Sequence, residues 1–266
     1  MKKKNKFFGK YYKFVSSDGY SFALIISYAN EGDMIQLITR DKSYYIDDSS
    51  SVMIKDSLVS IAINQDDISI SGNILLGELH PLKKQVMGPF EYLPIECKHS
   101  IYSMYHSLKG SINVNGVIHS FDGGYGYIEG DRGTSFPSEY IWYNSINIDL
   151  GVTIAIGRIP FGLINFIGIL CFIKVKDKEY SLCTYNFAKL VKVSNDTIVV
   201  KKGKYKFILS YSNIDGHLLK APVKGDMSRY IKENLSVPTK WSLMYKDKVI
   251  YEHSDELSSL EVMWNI

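Results

Sequence analysis

The sequence has few cysteines, no long apolar run and no strong excess of one charge, and each shortage excludes a class of protein. Its three cysteines, Cys97, Cys171 and Cys183, are odd in number, lie far apart and include no C-x-x-C pair. They indicate reduced thiols rather than a disulfide framework or a structural zinc site. The longest apolar stretch, residues 159–173, is shorter than the roughly 20 residues of a membrane-spanning helix, and a proline and glycines interrupt it. This stretch predicts buried strands.

The charge balance argues against a nucleic-acid-binding protein. The chain has 31 basic and 28 acidic residues and a formal net charge of +3, whereas nucleic-acid binders carry a marked basic excess. One basic cluster, Lys2, Lys3, Lys4 and Lys6, lies at the N-terminus. It indicates a solvated end or a weak association with a membrane surface. No apolar signal region follows these lysines, so we expect a cytoplasmic protein.

Alternating apolar and polar residues dominate the chain. With 45% hydrophobic residues over 266 positions, the chain can bury a large core. Residues 57–64, 67–74 and 111–121 are short, rich in Ile and Val, and bounded by turn residues, which is typical of strands. The pair Asn115-Gly116 supplies the positive φ angles of a tight hairpin. The sequence therefore predicts an all-β protein built from hairpins.

Helical spacing is confined to residues 225–236, where a strand is an equally good interpretation. Many short strands at hairpin spacing predict sandwiches or barrels, and the length suggests two such units. We place the boundary after residue 122, where a hairpin ends and glycines follow. The predicted domains are residues 1–122 and residues 123–266, and we detect no internal repeat.

Residues 123–144, GGYGYIEGDRGTSFPSEYIWYN, combine glycines, acids and aromatic residues. The spacing of Gly124, Gly126 and Gly130 does not fit a dinucleotide loop, and no helix pattern follows. Ser135 lacks the flanking glycine of a nucleophile elbow. In a strand, Tyr125, Tyr127, Glu129 and Asp131 would share one face, while Gly126, Ile128, Gly130 and Arg132 would share the other. On spacing alone, this is a bent strand whose acids are solvated or paired with Arg132.

The segment GYIEGDRGTSFPSEYIW resembles the signature of the tocopherol cyclase family, G-Y-I-E-K-D-W-G-x-S-F-P-x-x-Y-I-W. An upstream segment, MGPFEYLPIECKHSIYSMYH from residue 87 onward, is similar to the family's M-G-P-F, C-x-H and S-M-x-H motifs. Shorter matches occur at residues 159–161 and 180–190. The resemblance implies two lipocalin-like antiparallel β-barrels packed side by side, an architecture shared with hydratases and pericyclase-type cyclases.

The resemblance also implies a reaction. Plant and cyanobacterial members of the family close a chromanol ring by adding a phenol hydroxyl across a prenyl double bond, without a redox cofactor. We therefore expect no cofactor and a hydrophobic small molecule as partner. The alkene must be protonated and the resulting cation shielded from water. A carboxylic acid in an apolar pocket can give the proton, and Asp131 and Glu129 are the candidate catalytic acids.

Aromatic faces can stabilise the cation, and histidines can relay a proton or orient the phenol. The candidate ligand-binding residues are Tyr125, Tyr127, Arg132, Ser135, Phe136, Tyr140, Trp142, Asn144, His99, Met104 and His106. Cys97, His99 and His106 do not form a complete ligand set, so we expect no metal site.

The chain departs from the family's usual residues at three positions, one of which is Asn144, where a Gln often follows the Ile-Trp pair. Gly130 and Arg132 stand where the family commonly has Lys and Trp. An arginine that pairs with an acid favours its carboxylate form and opposes proton donation. The sequence therefore leaves three functions open: a cyclase or isomerase, a non-catalytic carrier of a hydrophobic molecule, and a structural protein whose signature only closes a barrel.

Overall fold

The computed structural model describes residues 5–65, 67–212 and 215–264, and these form two large antiparallel sheets of ten strands each. The strands of the first sheet are β1 (Phe7–Val15), β2 (Ser21–Ala29), β3 (Gly32–Thr39), β4 (Ser43–Ile46), β5 (Val52–Lys55), β6 (Leu58–Gln65), β7 (Ile68–Leu76), β8 (Cys97–Val114), β9 (Val117–Ser120) and β10 (Tyr125–Gly133). The strands of the second sheet are β11 (Tyr140–Asn147), β12 (Leu150–Phe161), β13 (Ile164–Val175), β14 (Lys178–Ser181), β15 (Lys189–Ser194), β16 (Thr197–Lys202), β17 (Tyr205–Tyr211), β18 (His217–Val223), β19 (Asp226–Tyr245) and β20 (Lys248–Met263). Short 3₁₀ turns lie at Ser49–Ser51, Gly88–Tyr92 and Thr184–Asn186.

The two sheets repeat one strand order. The first runs β4-β3-β2-β1-β10-β8-β7-β6-β5, with β9 beside β8. The second runs β14-β13-β12-β11-β20-β19-β17-β16-β15, with β18 beside β19. In each, the first strand pairs with the last, so β1 corresponds to β11, β10 to β20, and β8 to β19. The sequence showed no such repeat, because the two halves share a topology rather than residues.

Each sheet curls around an apolar core of its own. One face of the first sheet buries residues such as Phe14, Phe22 and Ile128, and one face of the second buries Tyr143, Phe207 and Trp241. These residues recur at every second position of their strands, which is the pattern of a sheet with one buried face. The prediction of an all-β protein with two lipocalin-like barrels packed side by side is confirmed.

A third apolar layer, which we call the seam, joins the outer faces of the two barrels. Tyr11 and Met104 of the first barrel meet Trp142 and Leu170 of the second there. The backbones also approach closely at Gly151 on β12, where a Cβ atom would lie 2.4 Å from the carbonyl oxygen of Met104. Only glycine allows this approach. The barrels are therefore in direct contact along β8 and β12.

The strand that carries the signature lies in the first sheet. β10 pairs with β1 and with β8, whereas the predicted boundary after residue 122 placed it in the second unit. The chain passes between the sheets at residues 134–139, just after Gly133, whose φ is +156°. The glycines before β10 only turn the chain back into its own sheet, since Gly123 lies in the turn at φ +80°. A glycine cluster signals a turn but not which sheet follows it.

Two local predictions were resolved. The Asn115-Gly116 hairpin is confirmed, because both residues have positive φ, 50° and 90°, between β8 and β9. Residues 225–236, left open between helix and strand, lie largely in β19. Within the described ranges, no helix combines the length and apolar character of a transmembrane span. Lys6 is exposed, while Lys2, Lys3 and Lys4 lie outside the described residues, so association with a membrane surface stays a prediction.

Candidate functional site

A cavity of about 160 Å³ lies in the seam, between the barrels rather than inside either one. Both sheets line it, and most of the lining is apolar, with Met87, Phe90, Phe166 and Leu170 among the contributors. The ionisable groups His99, Glu129, Asp131 and Glu261 also line it. The function was predicted for a pocket within a barrel. The cavity lies instead where the outer faces of the barrels meet, since the inner faces are packed with side chains.

His99, Glu129 and Asp131 form what we call the histidine cluster. His99 lies on β8 directly opposite Asp131 of β10. Its Nδ1 is 3.0 Å from Asp131 Oδ1, and its Nε2 is 3.3 Å from Glu129 Oε2. The imidazole therefore lies between two carboxyl groups. The thiol of Cys97 also donates to Asp131, at a sulfur–oxygen distance of 3.5 Å.

Further donors converge on Glu129. The hydroxyl of Tyr127 donates to Glu129 Oε2, and so does the indole Nε1 of Trp142, at 3.0 Å. Together with the nearby imidazole, three groups surround this one oxygen. Glu129 is buried, and a buried carboxylate requires such partners. The strand face predicted to carry Tyr125, Tyr127, Glu129 and Asp131 does face the seam.

A second acid group enters the seam from the other barrel. Glu233 of β19 lies directly opposite Glu261 of β20, and both side chains are buried. We call them the carboxyl pair. Tyr140 donates its hydroxyl to Glu261 Oε2 at 2.6 Å, and Tyr11 donates to Glu233 Oε1 at 2.6 Å. Each carboxyl group thus accepts one tyrosine hydroxyl.

The two acid groups occupy equivalent places in the two barrels, and each barrel supplies a donor to the other. Tyr11 lies opposite Glu129 within the first sheet but donates to Glu233 of the second. Trp142 lies opposite Glu261 within the second sheet but donates to Glu129 of the first. The rings of Tyr11 and Trp142 meet edge to face, 5.1 Å between centroids. The polar centre of the seam is therefore a reciprocal exchange of hydrogen bonds.

The surroundings shift the pKa values in this region in a consistent way. Burial lowers the pKa of His99, but the negative charges of Glu129 and Asp131 and their hydrogen bonds outweigh it and raise that pKa well above its usual range. Burial raises the pKa of Glu261 to about 7. Burial and the adjacent Glu261 raise the pKa of Glu233 well above its usual range. The histidine cluster thus favours an imidazolium, and the carboxyl pair favours a retained proton.

The predicted site residues fall into three groups. His99, Glu129, Asp131, Phe136, Tyr140 and Trp142 line the cavity. Tyr125, Tyr127 and Met104 pack in the seam beside it and are outside its lining as far as the described residues define it. The remaining predicted residues, Arg132, Ser135, Asn144 and His106, are directed elsewhere.

Arg132 does not engage the acids of the cavity. Its Nη2 is 2.5 Å from Glu91 Oε1 and its Nη1 donates to Ser100 Oγ at 3.0 Å. Because side chains alternate along β10, Arg132 projects to the face opposite Glu129 and Asp131. Of the alternatives that the sequence left open, the pairing of Arg132 with these acids is not observed. Its role as a ligand-binding residue stays a prediction.

The other three residues have structural partners. His106 contacts Ser103 Oγ through Nδ1 at 3.1 Å, and burial lowers its pKa to about 4, so it is a neutral interior histidine. Asn144 donates to the carbonyl oxygen of Val152 and to Thr153 Oγ1. Ser135 Oγ accepts the backbone N–H of Lys224. These three side chains hold strands and loops near the cavity in place, and such contacts do not make them part of the cavity wall.

The histidine cluster is also the place where the described residues could hold a metal ion, because one ligand atom from each member lies within 4.8 Å of the others. Both imidazole nitrogens, however, already face a carboxyl group. A metal ion would have to displace a proton and one of these contacts. The expectation of no metal site stays a prediction.

Among the comparisons with known proteins, only those with solved structures found a match. No family model matches the sequence, and no curated protein matches it. Among solved structures, CghA crystallised with Sch210972 superposes with a TM-score of 0.63 at 7% identity, covering 98% of this chain and 89% of CghA. A second CghA structure gives 0.62 at 7% identity, covering 98% and 88%. The Nitrosomonas europaea protein NE1406 gives 0.48 at 8% identity, covering 98% and 92%. At these identities the likeness to CghA shows a shared two-barrel fold.

Proposed function

We propose that this protein is tocopherol-cyclase-like: that it binds a prenylated aromatic or another isoprenoid-like molecule in the seam cavity and promotes ring closure or isomerisation by proton transfer. The observation that carries the proposal is the histidine cluster at the wall of an apolar cavity. The signature segment, which resembles the tocopherol cyclase family, supplies two of its three members, Glu129 and Asp131. The fold shared with CghA is compatible with this assignment.

The reaction requires, in one cavity, a proton donor, a proton acceptor and a site that shields a cation from water. Asp131 and Glu129 remain the catalytic residues that we propose, with His99 held between them, but as proton acceptors rather than as the proton donors expected from the sequence. Such a cluster can accept the proton of a phenol while the phenol oxygen attacks the carbocation. The faces of Tyr140 and Trp142 line the same cavity and can stabilise a tertiary cation. No redox step occurs in this chemistry.

The cavity volume limits the ligand. An engineered cavity of about 150 Å³ holds one benzene ring, so about 160 Å³ accommodates one aromatic ring. Pockets for larger ligands measure roughly 300–1,000 Å³. We therefore propose that the ring binds beside the histidine cluster and that a prenyl chain parts the flanking side chains of the seam.

Ala155→Leu tests the location of binding. Ala155 lines the cavity, so the added carbons should occupy ligand space and weaken binding of a prenylated hydroquinol at least tenfold. Ala62 is exposed on β6 of the first barrel, and Ala62→Leu adds the same atoms away from the seam. Binding is read from quenching of tryptophan fluorescence, and products are read by mass spectrometry. Equal affinities for the two variants would contradict a ligand site in the seam.

The same experiment separates an enzyme from a carrier. A ring-closed or isomerised product that disappears in Asp131→Asn supports catalysis by the histidine cluster. A ligand that binds in the seam and leaves unchanged with wild type supports the carrier. The carrier hypothesis was motivated by Gly130 and Arg132. Because Arg132 pairs with Glu91 rather than with the acids of the cavity, we favour the enzyme.

A further inference from the structure

The carboxyl pair has a geometry that the histidine cluster lacks. Glu233 and Glu261 face each other across adjacent strands, and both side chains are buried. Glu233 Oε2 is buried with no hydrogen-bond partner among the described residues. A proton on one of the two carboxyl groups would allow a hydrogen bond between them, whereas two carboxylates both lack a donor. Like charges so close also oppose ionisation of both groups.

The charged groups around the pair do not remove this requirement. Lys13 of β1 is buried and attracts Glu233, but its Nζ donates to the carbonyl oxygen of Leu257. Glu129 and Asp131 of β10 add negative charge. Arg229 of β19 lies over the ring of Tyr140, 5.9 Å from its centroid. The charged neighbours thus include two acids with the imidazolium of His99 between them and the two cations Lys13 and Arg229. A proton between Glu233 and Glu261 limits the total negative charge of this group.

Only one member of the pair reaches the ligand space. Glu261 lines the cavity, while Glu233 lies behind it and bonds to Tyr11. We propose that Glu261 is the proton donor of the seam cavity and that Glu233 is a positioning residue that shares its proton. The histidine cluster accepts the proton released by the ligand. This inference rests on the proposed function. The acid and the base of the proposed reaction are then different groups, one from each barrel.

For a prenylated phenol, ring closure adds one proton to the alkene and removes one proton from the phenol. The O–H bond of Glu261 breaks, and the alkene π electrons form a new C–H bond with that proton, leaving a tertiary cation. A lone pair of the phenol oxygen forms the C–O bond of the ring. The phenol O–H bond then breaks, and its proton passes to a carboxylate of Glu129 or Asp131. Exchange with water afterwards returns a proton to Glu261, so nothing is oxidised or reduced.

The shared proton can be tested without any substrate. Glutamate labelled with ¹³C at the side-chain carboxyl carbon reports protonation by NMR across a pH titration of the full chain. In wild type we expect both carboxyl groups of the pair to titrate above the usual glutamate range, and the Glu261 signal to keep its protonated shift up to about pH 7, as its raised pKa requires. This signal should be lost in Glu261→Gln and altered in Glu233→Gln. Ionisation of every glutamate below about pH 5 would overturn the shared proton.

The donor role is tested on a prenylated hydroquinol in D₂O. Wild type should place one deuterium on the former alkene carbon, and Glu261→Gln should lose at least about 100-fold in turnover, as removal of a general acid does. Glu233→Gln should retain turnover but shift its pH profile, the mark of a positioning residue. Glu252→Gln, an exposed acid of the same strand, is the matched control.

The outcomes are distinguishable. If wild type turns over the substrate and Glu261→Gln does so equally well, Glu261 is not the donor, whatever the NMR titration shows. If wild type converts no prenylated hydroquinol, the proposed reaction and the donor role both fail, while the titration alone still decides whether the pair shares a proton. Both glutamine variants keep the shape of the side chain and remove a buried acid, so we expect them to fold.

Discussion

Two acid groups face one cavity from equivalent strands of two similar barrels, and they differ in the neighbour beside the acid. In the histidine cluster, the neighbouring strand brings His99 to the acids of β10. In the carboxyl pair, the equivalent strand brings Glu233 to Glu261 of β20. A basic neighbour favours a carboxylate, and an acidic neighbour favours a protonated acid. The comparison shows how one topology, used twice, can supply a base and an acid to one space.

The largest expected effect comes from removing His99 from the histidine cluster. His99→Gln leaves the buried Glu129 and the partly buried Asp131 without their cation, and we expect a loss of roughly 3–5 kcal/mol in the free energy of unfolding. Because the pKa of His99 is raised, its contribution is fully present below the pKa of an unfolded histidine, about 6.5. That contribution is lost as the pH rises through the raised pKa.

Urea unfolding across pH 5 to 9 checks this prediction. Wild type should lose stability toward alkaline pH, and His99→Gln should lack the part of this decline that His99 causes. His106→Gln is the control, since the pKa of His106 is lowered to about 4 and the residue is neutral over this range. Parallel curves for wild type and His99→Gln would show that no imidazolium lies in the cluster.

A smaller effect is expected from breaking the exchange between the barrels. Tyr11→Phe removes the donor of Glu233, and Trp142→Phe removes one donor of Glu129. Each variant should lose about 1–3 kcal/mol, the cost of leaving a buried acceptor unsatisfied. Tyr230→Phe, at an exposed tyrosine, should stay within about 0.5 kcal/mol of wild type. Thermal unfolding distinguishes these outcomes, and wild-type stability in Tyr11→Phe would argue against the reciprocal arrangement.

The smallest effect is expected at Arg132, outside both acid groups. Its ion pair with Glu91 is partly exposed, with 42% of the Arg132 side chain accessible. Such pairs contribute about 0–1 kcal/mol, so Arg132→Gln should change stability by no more than that and leave binding in the seam unchanged. Binding of a prenylated hydroquinol checks this directly. A large loss of affinity would mean that Arg132 reaches the ligand after all.

The barrels themselves were predictable from the sequence, because alternation and hairpin turns are local. The Asn115-Gly116 turn and the two faces of β10 follow from spacing alone. The boundary after residue 122 was displaced, because pairing β10 with β1 joins segments more than a hundred residues apart. Local patterns predict strands, whereas the choice of partner strand depends on contacts that the whole chain makes.

The second acid group was missed for a physical reason. Glu261 shares its strand face with Ser259 and alternates with Leu260 and Val262, so it reads as part of a solvent-facing surface. The second barrel does place this face outward, and it becomes buried only because the first barrel packs against it. Tyr11 of β1 likewise lies on an outward face of its own barrel and is buried where the other barrel covers it. A polar face covered by another domain leaves no mark in the spacing of one strand.

The exchanged donors have a consequence for how the molecule folds. Tyr11 donates a hydrogen bond to Glu233 of the second barrel, and Trp142 donates one to Glu129 of the first. Either barrel alone would therefore lose a hydrogen-bond donor to one of its acids. Neither half is self-sufficient, despite having its own apolar interior. The two barrels should therefore unfold together in one cooperative transition rather than one after the other.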